Sequence, residues 1–452
     1  MDNLTRQIAN FASHVSYETL PDEVVTAATQ YLIDSLACAI AARDCEPAGM
    51  GLRLARGAVP ERYPGRILLH GERSTAESAA FVNTAMIRNL DFNDQYPGGH
   101  PSDCLGAFLA IAEAAGTDGR RLLSSIVVAY ELFVRISDAT GLRYKGWDQG
   151  FAIGVCTAAG VGHLLRLPPE KIGEAIAITT VANVPMRNTR AGELSLWKGV
   201  ATSFATRNGL FAALLAAEGM VGPDRPFEGK HGLWHLITGP FELEPLPTEK
   251  GPFRSPDVQL KYWPVEYNAQ LPVWAALELR SKVDWRELVD IDIGTYTFAF
   301  TEIGSEPEKW DPRTRETADH SLPYIFARTL VDGTMTIAAF EEAAYREPAL
   351  RPLMAKIRVR RDDEVEAIYP KVVSMKVKAT TTNGNTISIF PRDPLGHTNN
   401  PMKHEDITSK FRQCAESVLG KTRTAVALES WWNIKDASAT GLADALALLD
   451  LK

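Results

Sequence analysis

Apolar residues return at three- and four-residue intervals through about the first 265 positions and at two-residue intervals in parts of the remaining chain, and this change of period divides the sequence. From Asp22 to Arg43, Val24, Ala28, Tyr31, Leu32 and Ser35 fall at helical spacing, with Pro21 ahead and two acids in the first turn. The segments 75–90, 103–116 and 118–140 continue the pattern, Gly116 reading as a C-cap and Asp118 as an N-cap. Three further stretches, "GFAIGVCTAAGVGHLLRL", "PPEKIGEAIAITTVANV" and "KGVATSFATRNGLFAALLAAEG", are dense in Ala and Gly. Small side chains let helix backbones approach closely, so these are the expected central helices.

Around Val289 the period becomes two. Ile291, Ile293, Tyr296 and Phe298 alternate with small or polar residues. Val373, Met375, Val377 and Ala379 alternate with Ser374, Lys376 and Lys378, and Asn383-Gly384 then marks a hairpin. Helical text separates the two strand regions from about Pro323 to Tyr345 and returns from Asp406 to Leu449. The expected fold class is mainly α. A large all-α domain covers 1–265 and is rejoined by 396–452, and a smaller α+β domain covers 266–395.

Composition changes this picture little. At 452 residues, 45% hydrophobic and 23% charged, the chain has the make-up of a globular protein longer than one ~150-residue domain. No window holds the ~18 uninterrupted apolar residues of a membrane helix, and "MDNLTRQIANFASHV" lacks the features of a secretory signal, so the expected address is cytoplasmic. A net charge of −8 gives no footprint for nucleic acid. Cys38, Cys45, Cys104, Cys156 and Cys414 are scattered, without a C-x-x-C pair, and read as buried apolar side chains. The nucleotide-binding patterns G-x-x-x-x-G-K-[ST] and G-x-G-x-x-G after a strand do not occur.

The stretch "LDFNDQYPGGHPSD" (90–103) carries the chemistry in most concentrated form. Asp91 and Asp94 fall near a helix C-terminus, where the macrodipole disfavours negative charge, so each needs a partner. Gly98-Gly99 turns the chain, Ser102 or Asp103 reads as the next N-cap, and Asp91 is placed to fix the tautomer of His100 as an acid/base group. A plain capped turn is the competing reading, and a divalent-cation site of Asp91, Asp94, His100 and Asp103 is another, weakened by the lack of a second histidine at ligand spacing. In "MRNTRAGELSLWKG", Arg187, Arg190 and Lys198 suit a carboxylate clamp, against the alternative of a solvated basic loop. Lys261 lies among aromatics in "KYWPVEYNAQ", and "ADHSLPY" supplies His320 and Tyr324, which equally suit core or capping positions.

As a set, "LDFND…GHPSD", "KGWDQG", "RNTR…WKG", "KYWPVEYNAQ", "ADHSLPYIFA" and "GHTNNPM…DITSKFRQCA" resemble the MmgE/PrpD family in order and separation over nearly the whole chain. That resemblance implies a large all-α domain with a smaller α+β lid, a homodimer, and lyase chemistry on small polycarboxylates without metal or other cofactor. By motif it casts Asp91, His100, Lys198, Lys261 and Tyr324 as catalytic and Arg187 and Arg190 as substrate-binding, with His320 beside them. Gln95 stands where the family usually has Thr, and Asp148-Gln149 where it has a histidine; all three are expected at the substrate. A carbanion next to a carboxylate needs cations where charge develops, a requirement the lysines and arginines meet. The same carbanion serves dehydration of the 2-methylcitrate kind, epimerisation of the iminodisuccinate kind or decarboxylation of the cis-aconitate kind, with dehydration or epimerisation favoured by Asp148-Gln149. A metal-dependent hydrolase and a non-catalytic polycarboxylate-binding relative are the readings outside that class.

Overall fold

The computed structural model describes residues 1–57, 59–190, 194–247 and 252–451. Its buried apolar side chains separate into two cores. The first is built from residues between Leu4 and Leu260 together with Met402 to Leu449. The second runs from Val265 to Ile389.

Helices form the first core, as the apolar spacing requires. Asp22–Ala41, Gly119–Thr140 and Gly150–Leu164 are buried over most of their length, and Asp118 caps the second by accepting from the Arg121 amide at 2.7 Å. The glycine-rich helices approach as closely as expected: a Cβ added at Gly209 would lie 2.5 Å from the carbonyl oxygen of Gly154. By length and composition Asp22–Ala41 is apolar enough to cross a membrane, even though Asp34 interrupts it. It is instead largely buried in this core, packed against Ala76–Arg88 and His404–Leu419.

Three expectations need correction here. The first unit is not purely helical, because Pro64–Arg66 and Arg73–Thr75 pair as a short antiparallel hairpin. The helix Leu105–Ile111 stops before Gly116, whose positive φ of 60° closes the next turn rather than the helix itself. Neither Ser102 nor Asp103 is an N-cap; a 3₁₀ turn, Pro101–Cys104, leads straight into that helix, and Asp94 accepts from Ser102 instead.

In the second unit four strands lie in the order Ile357–Arg361, Leu288–Thr295, Lys376–Thr381, Thr386–Ile389. The first pair is parallel and the others antiparallel, with Val377 opposite both Ile293 and Ile389. Asn383-Gly384 makes the hairpin turn, Gly384 at φ 83°. The period of two after Val289 overruns the strand, which ends at Thr295; Phe298 already belongs to the helix Thr297–Ile303. The helices Gln270–Lys282 and Leu322–Asp332 pack on each other and reach the two outer strands.

Candidate active site

The helix Ala76–Arg88 ends just before Asp91, and Asp91 itself adopts φ 50°, a left-handed conformation that the short polar aspartate tolerates better than most side chains. Its amide donates to the Arg88 carbonyl at 3.0 Å, and its carboxylate lies in the interior, 2% of the residue exposed. The partner such an acid needs is not His100. Arg88 donates to Oδ1 at 2.8 Å, Lys261 to Oδ1 at 2.7 Å and Lys198 to Oδ2 at 2.9 Å. Burial by itself would raise Asp91, but these three cations hold its carboxyl well below the usual carboxylate range. Burial in turn lowers the Lys261 ammonium, with Asp91 opposing the shift.

Local structure explains how these groups meet. Gln95 and Gln259 exchange backbone hydrogen bonds of 2.7 Å in both directions, which lays the Leu260–Lys261 segment beside the Asp91 loop. The Gln95 side-chain amide turns back to donate to the Tyr96 carbonyl at 2.8 Å. Gly98 and Gly99 have φ of 124° and 154°, and the carboxamide of Gln149 fills the space where a Gly99 Cβ would lie. Gln149 therefore braces the turn ahead of His100.

Two imidazoles flank Asp91. His100 Nδ1 lies 2.5 Å from the Asp94 carbonyl oxygen, which only accepts, so Nδ1 carries the proton and Nε2 presents its lone pair 3.7 Å from Asp91 Oδ1. The tautomer is thus set by a backbone carbonyl, not by Asp91. His320 Nδ1 donates to Asp319 Oδ1, and its Nε2 lies 3.6 Å from Asp91 Oδ2. Burial, with Arg88 and Lys261 nearby, pushes His100 well below the ordinary histidine value; burial and Lys198 lower His320, while Asp319 opposes. Both shifts favour the neutral ring in the free protein. Asp319, on which Lys198 also bears at 3.7 Å, keeps a depressed carboxyl against the burial that would raise it.

The remaining expected site residues lie less centrally. Arg190 donates to Asp148 Oδ2 at 2.6 Å, Asp148 also accepts from the Gly150 amide at 3.2 Å, and Arg187 reaches Glu302 at 3.4 Å. The arginine clamp is therefore already occupied by carboxylates of the protein. Tyr324 is not brought to the cluster at all: its hydroxyl donates to the Ala339 carbonyl inside the second core. Tyr324→Phe is accordingly expected to leave turnover within about twofold and to cost about 1 kcal/mol of stability, checked by steady-state rates and denaturant titration.

Sequence reading passed over Arg88, Asp319 and Glu266. An arginine inside the apolar run "AMIRNL", three positions before Asp91, was the available signal for the first; Asp319 simply precedes His320. Glu266 donates its amide to the Asp319 carbonyl at 3.1 Å, and burial raises its carboxyl to about 7, Lys261 opposing and Asp91 adding to the rise. A group whose folded pKa exceeds its unfolded value of 4.5 stabilises fully below that value and loses the contribution as pH rises through about 7. Melting temperatures measured from about pH 5 to about pH 8 should therefore fall less steeply for Glu266→Gln than for the native protein.

The divalent-cation grouping suggested by sequence does not converge. Asp94 accepts from Ser102 and from Tyr130 at 2.6 Å, with burial raising it to about 7, and Asp103 accepts from Asn93 at 3.1 Å and faces Arg88. Asp91, Asp319 and His320 do bring ligand atoms within 4.8 Å of one another. Lys198 already bridges the two carboxylates and Lys261 and Arg88 crowd Asp91, so a divalent cation there would face three positive groups.

The class is that of a mainly helical chain with two cores and, where they meet, a buried carboxylate ringed by two imidazoles and three cations. The MmgE/PrpD N-terminal domain profile matches residues 6–246 and the MmgE/PrpD C-terminal domain profile residues 263–434; the chain belongs to the MmgE/PrpD family. It is 27% identical to 2-methylcitrate dehydratase of Cupriavidus necator, over 83% of this chain and 85% of that protein. It is 24% identical to cis-aconitate decarboxylase of Aspergillus terreus, over 93% of this chain and 91% of that protein. With the human cis-aconitate decarboxylase it shares 26% identity over 75% of this chain and 73% of the relative.

Proposed function

We propose that the protein is a lyase of small polycarboxylates, similar to 2-methylcitrate dehydratase, that removes a proton α to a carboxylate and eliminates water. The observation that carries this reading is the pair of imidazole Nε2 atoms, 3.7 and 3.6 Å from opposite oxygens of Asp91, within a nest of Arg88, Lys198 and Lys261.

In this mechanism a substrate carboxylate shares the cations that gather on Asp91 in the free protein. His100 Nε2 takes the α-proton, and the electron pair left behind spreads onto the carboxylate as an enediolate. Lys198, Lys261 and Arg88 are already placed where that charge grows, so little reorganisation is needed when it forms. The added negative charge of the substrate favours protonation of His320, which Asp319 also supports, and His320 gives that proton to the departing hydroxyl. The C–O bond breaks, its electrons leave with the oxygen as water, and the carbanion pair becomes the alkene.

Because His320 and Asp319 come from the second unit while Asp91, His100 and Lys198 come from the first, the site is assembled only when the two meet. A cavity of about 510 Å³ at this junction, lined in part by Asn89, Leu90, Ser195, Leu196 and Arg315, borders the cluster without exposing Asp91 and is the proposed approach route.

The two histidines also favour a second reading. Two neutral bases on opposite sides of one site would let a proton leave one face of a carbon and return to the other, which is epimerisation.

Proton NMR of the protein in deuterated water tests both, with 2-methylcitrate, citrate, cis-aconitate and imino-linked dicarboxylates as the panel. Deuterium α to a carboxylate with an alkene product supports the dehydratase; deuterium with inverted configuration and no alkene supports the epimerase. Loss of carbon dioxide would point to decarboxylation, and no reaction with any of them would sink the catalytic reading.

A further inference from the structure

The helix His404–Leu419 lies against Asp22–Ala41, at the far end of the chain from the catalytic loop, and sends one ammonium group inward. Lys410 is 2% exposed. Its Nζ donates to the carbonyl oxygen of Phe92 at 2.7 Å and to that of Lys261 at 2.8 Å. It lies 2.5 Å from Asp34 Oδ1 and 3.7 Å from the centroid of the Phe92 ring. The two carbonyl contacts are hydrogen bonds, and the carboxylate and the ring add electrostatic attraction to the same ammonium.

The two carbonyls are not arbitrary. One belongs to Phe92, the residue directly after the left-handed Asp91, so holding it anchors the chain where it leaves Asp91. The other belongs to Lys261, whose own Nζ bonds both the Asp91 carboxylate and the Asp91 carbonyl, the latter at 2.6 Å. Lys410 therefore ties together, from behind, two segments whose side chains meet in front. Burial would lower the Lys410 ammonium, but Asp34 and its surroundings raise it, so the group stays charged; Asp34, itself raised by burial, is drawn down by Lys410.

Resting on the function proposed above, we infer that Lys410 is a positioning residue of the active site: neutralised by Asp34, it clamps the Phe92 and Lys261 carbonyls and so fixes Asp91 and Lys261 in register. The C-terminal helix thus supports the catalytic cluster through the backbone that carries it.

The test compares Lys410→Met with the double variant Asp34→Leu, Lys410→Met. The single variant leaves Asp34 buried without a counter-ion and loses stability along with activity. The double variant removes the stranded charge, and apolar replacement of a whole buried pair is often neutral for stability. Its melting temperature is expected to return towards the native value while kcat stays about 10²-fold low with a much smaller change in KM, since misplacement of reacting groups by about 1 Å costs that much. A double variant with native kcat overturns the proposal, because Lys410 would then only balance Asp34. If leucine does not pack at position 34, Asp34→Asn with Lys410→Met makes the same comparison.

A crystal structure of the double variant supplies a reading independent of turnover. The Lys261 Nζ to Asp91 Oδ1 contact, 2.7 Å here, is expected to be lost, and its retention overturns the proposal. Should the native protein exchange no substrate proton, the proposed reaction fails while this structural comparison still decides the role of Lys410.

Discussion

Asp91→Asn is expected to abolish measurable proton exchange and to destabilise the fold by about 3–5 kcal/mol, the usual cost of stranding buried charge. The substitution keeps the size and one acceptor of the side chain but removes the anion that Arg88, Lys198 and Lys261 share. Arg88 and Lys261 are 1% and 0% exposed, so solvent cannot take over the role of Asp91. The same coupling has a pH signature. A carboxyl held well below its unfolded value stabilises the protein at all pH values above that unfolded value and loses the contribution only as pH falls towards the folded pKa. Acid unfolding of the native protein should therefore show a pH-dependent limb below about pH 4 that is shallower in the variant. A loss under about 1 kcal/mol in denaturant titration would mean that the cations are not held by Asp91.

His100→Ala carries the second large effect, a fall of about 10²- to 10⁴-fold in α-proton exchange with little change in stability beyond that of a truncated side chain. The ring is oriented by the Asp94 carbonyl and lowered by burial and its cationic neighbours, so its lone pair remains free well into the acidic range. The native kcat/KM should not decline through the ordinary histidine range near pH 6.5. An acid limb centred there, lost in His100→Ala, would show that the ring is protonated far more easily than its surroundings imply. Retention of exchange within about tenfold in the variant would assign proton abstraction to another group, with His320 the first to examine.

Much of the architecture was legible in the order of residues, because periodicity reports which side chains share a face of one element. The helices around Asp22–Ala41 and Gly119–Thr140 and the hairpin at Asn383-Gly384 follow from that local information. The short hairpin at Pro64–Arg66 did not, since three-residue strands are too brief to display a period. Phe298 alternates correctly for a strand yet sits in a helix, because a run that short is compatible with either period and its neighbours in space decide.

The chemistry divides along the same line. Asp91, His100, Lys198, Lys261 and His320 were identifiable as groups worth watching from residue type and neighbouring sequence alone, and the structure gathers them. The order of residues contained no means of showing that Arg88 completes the cation set, that Asp148 and Glu302 occupy Arg190 and Arg187, or that Tyr324 spends its hydroxyl inside the second core. Lys261 and Asp91 are 170 positions apart, and Lys410 is 318 from the carbonyl it holds. Helical period, turn chemistry and motif spacing act over a few residues and were determined by the sequence as written. Which charges meet across such distances depends on how two cores pack and on which ion pairs survive desolvation, and only the tertiary structure decided that.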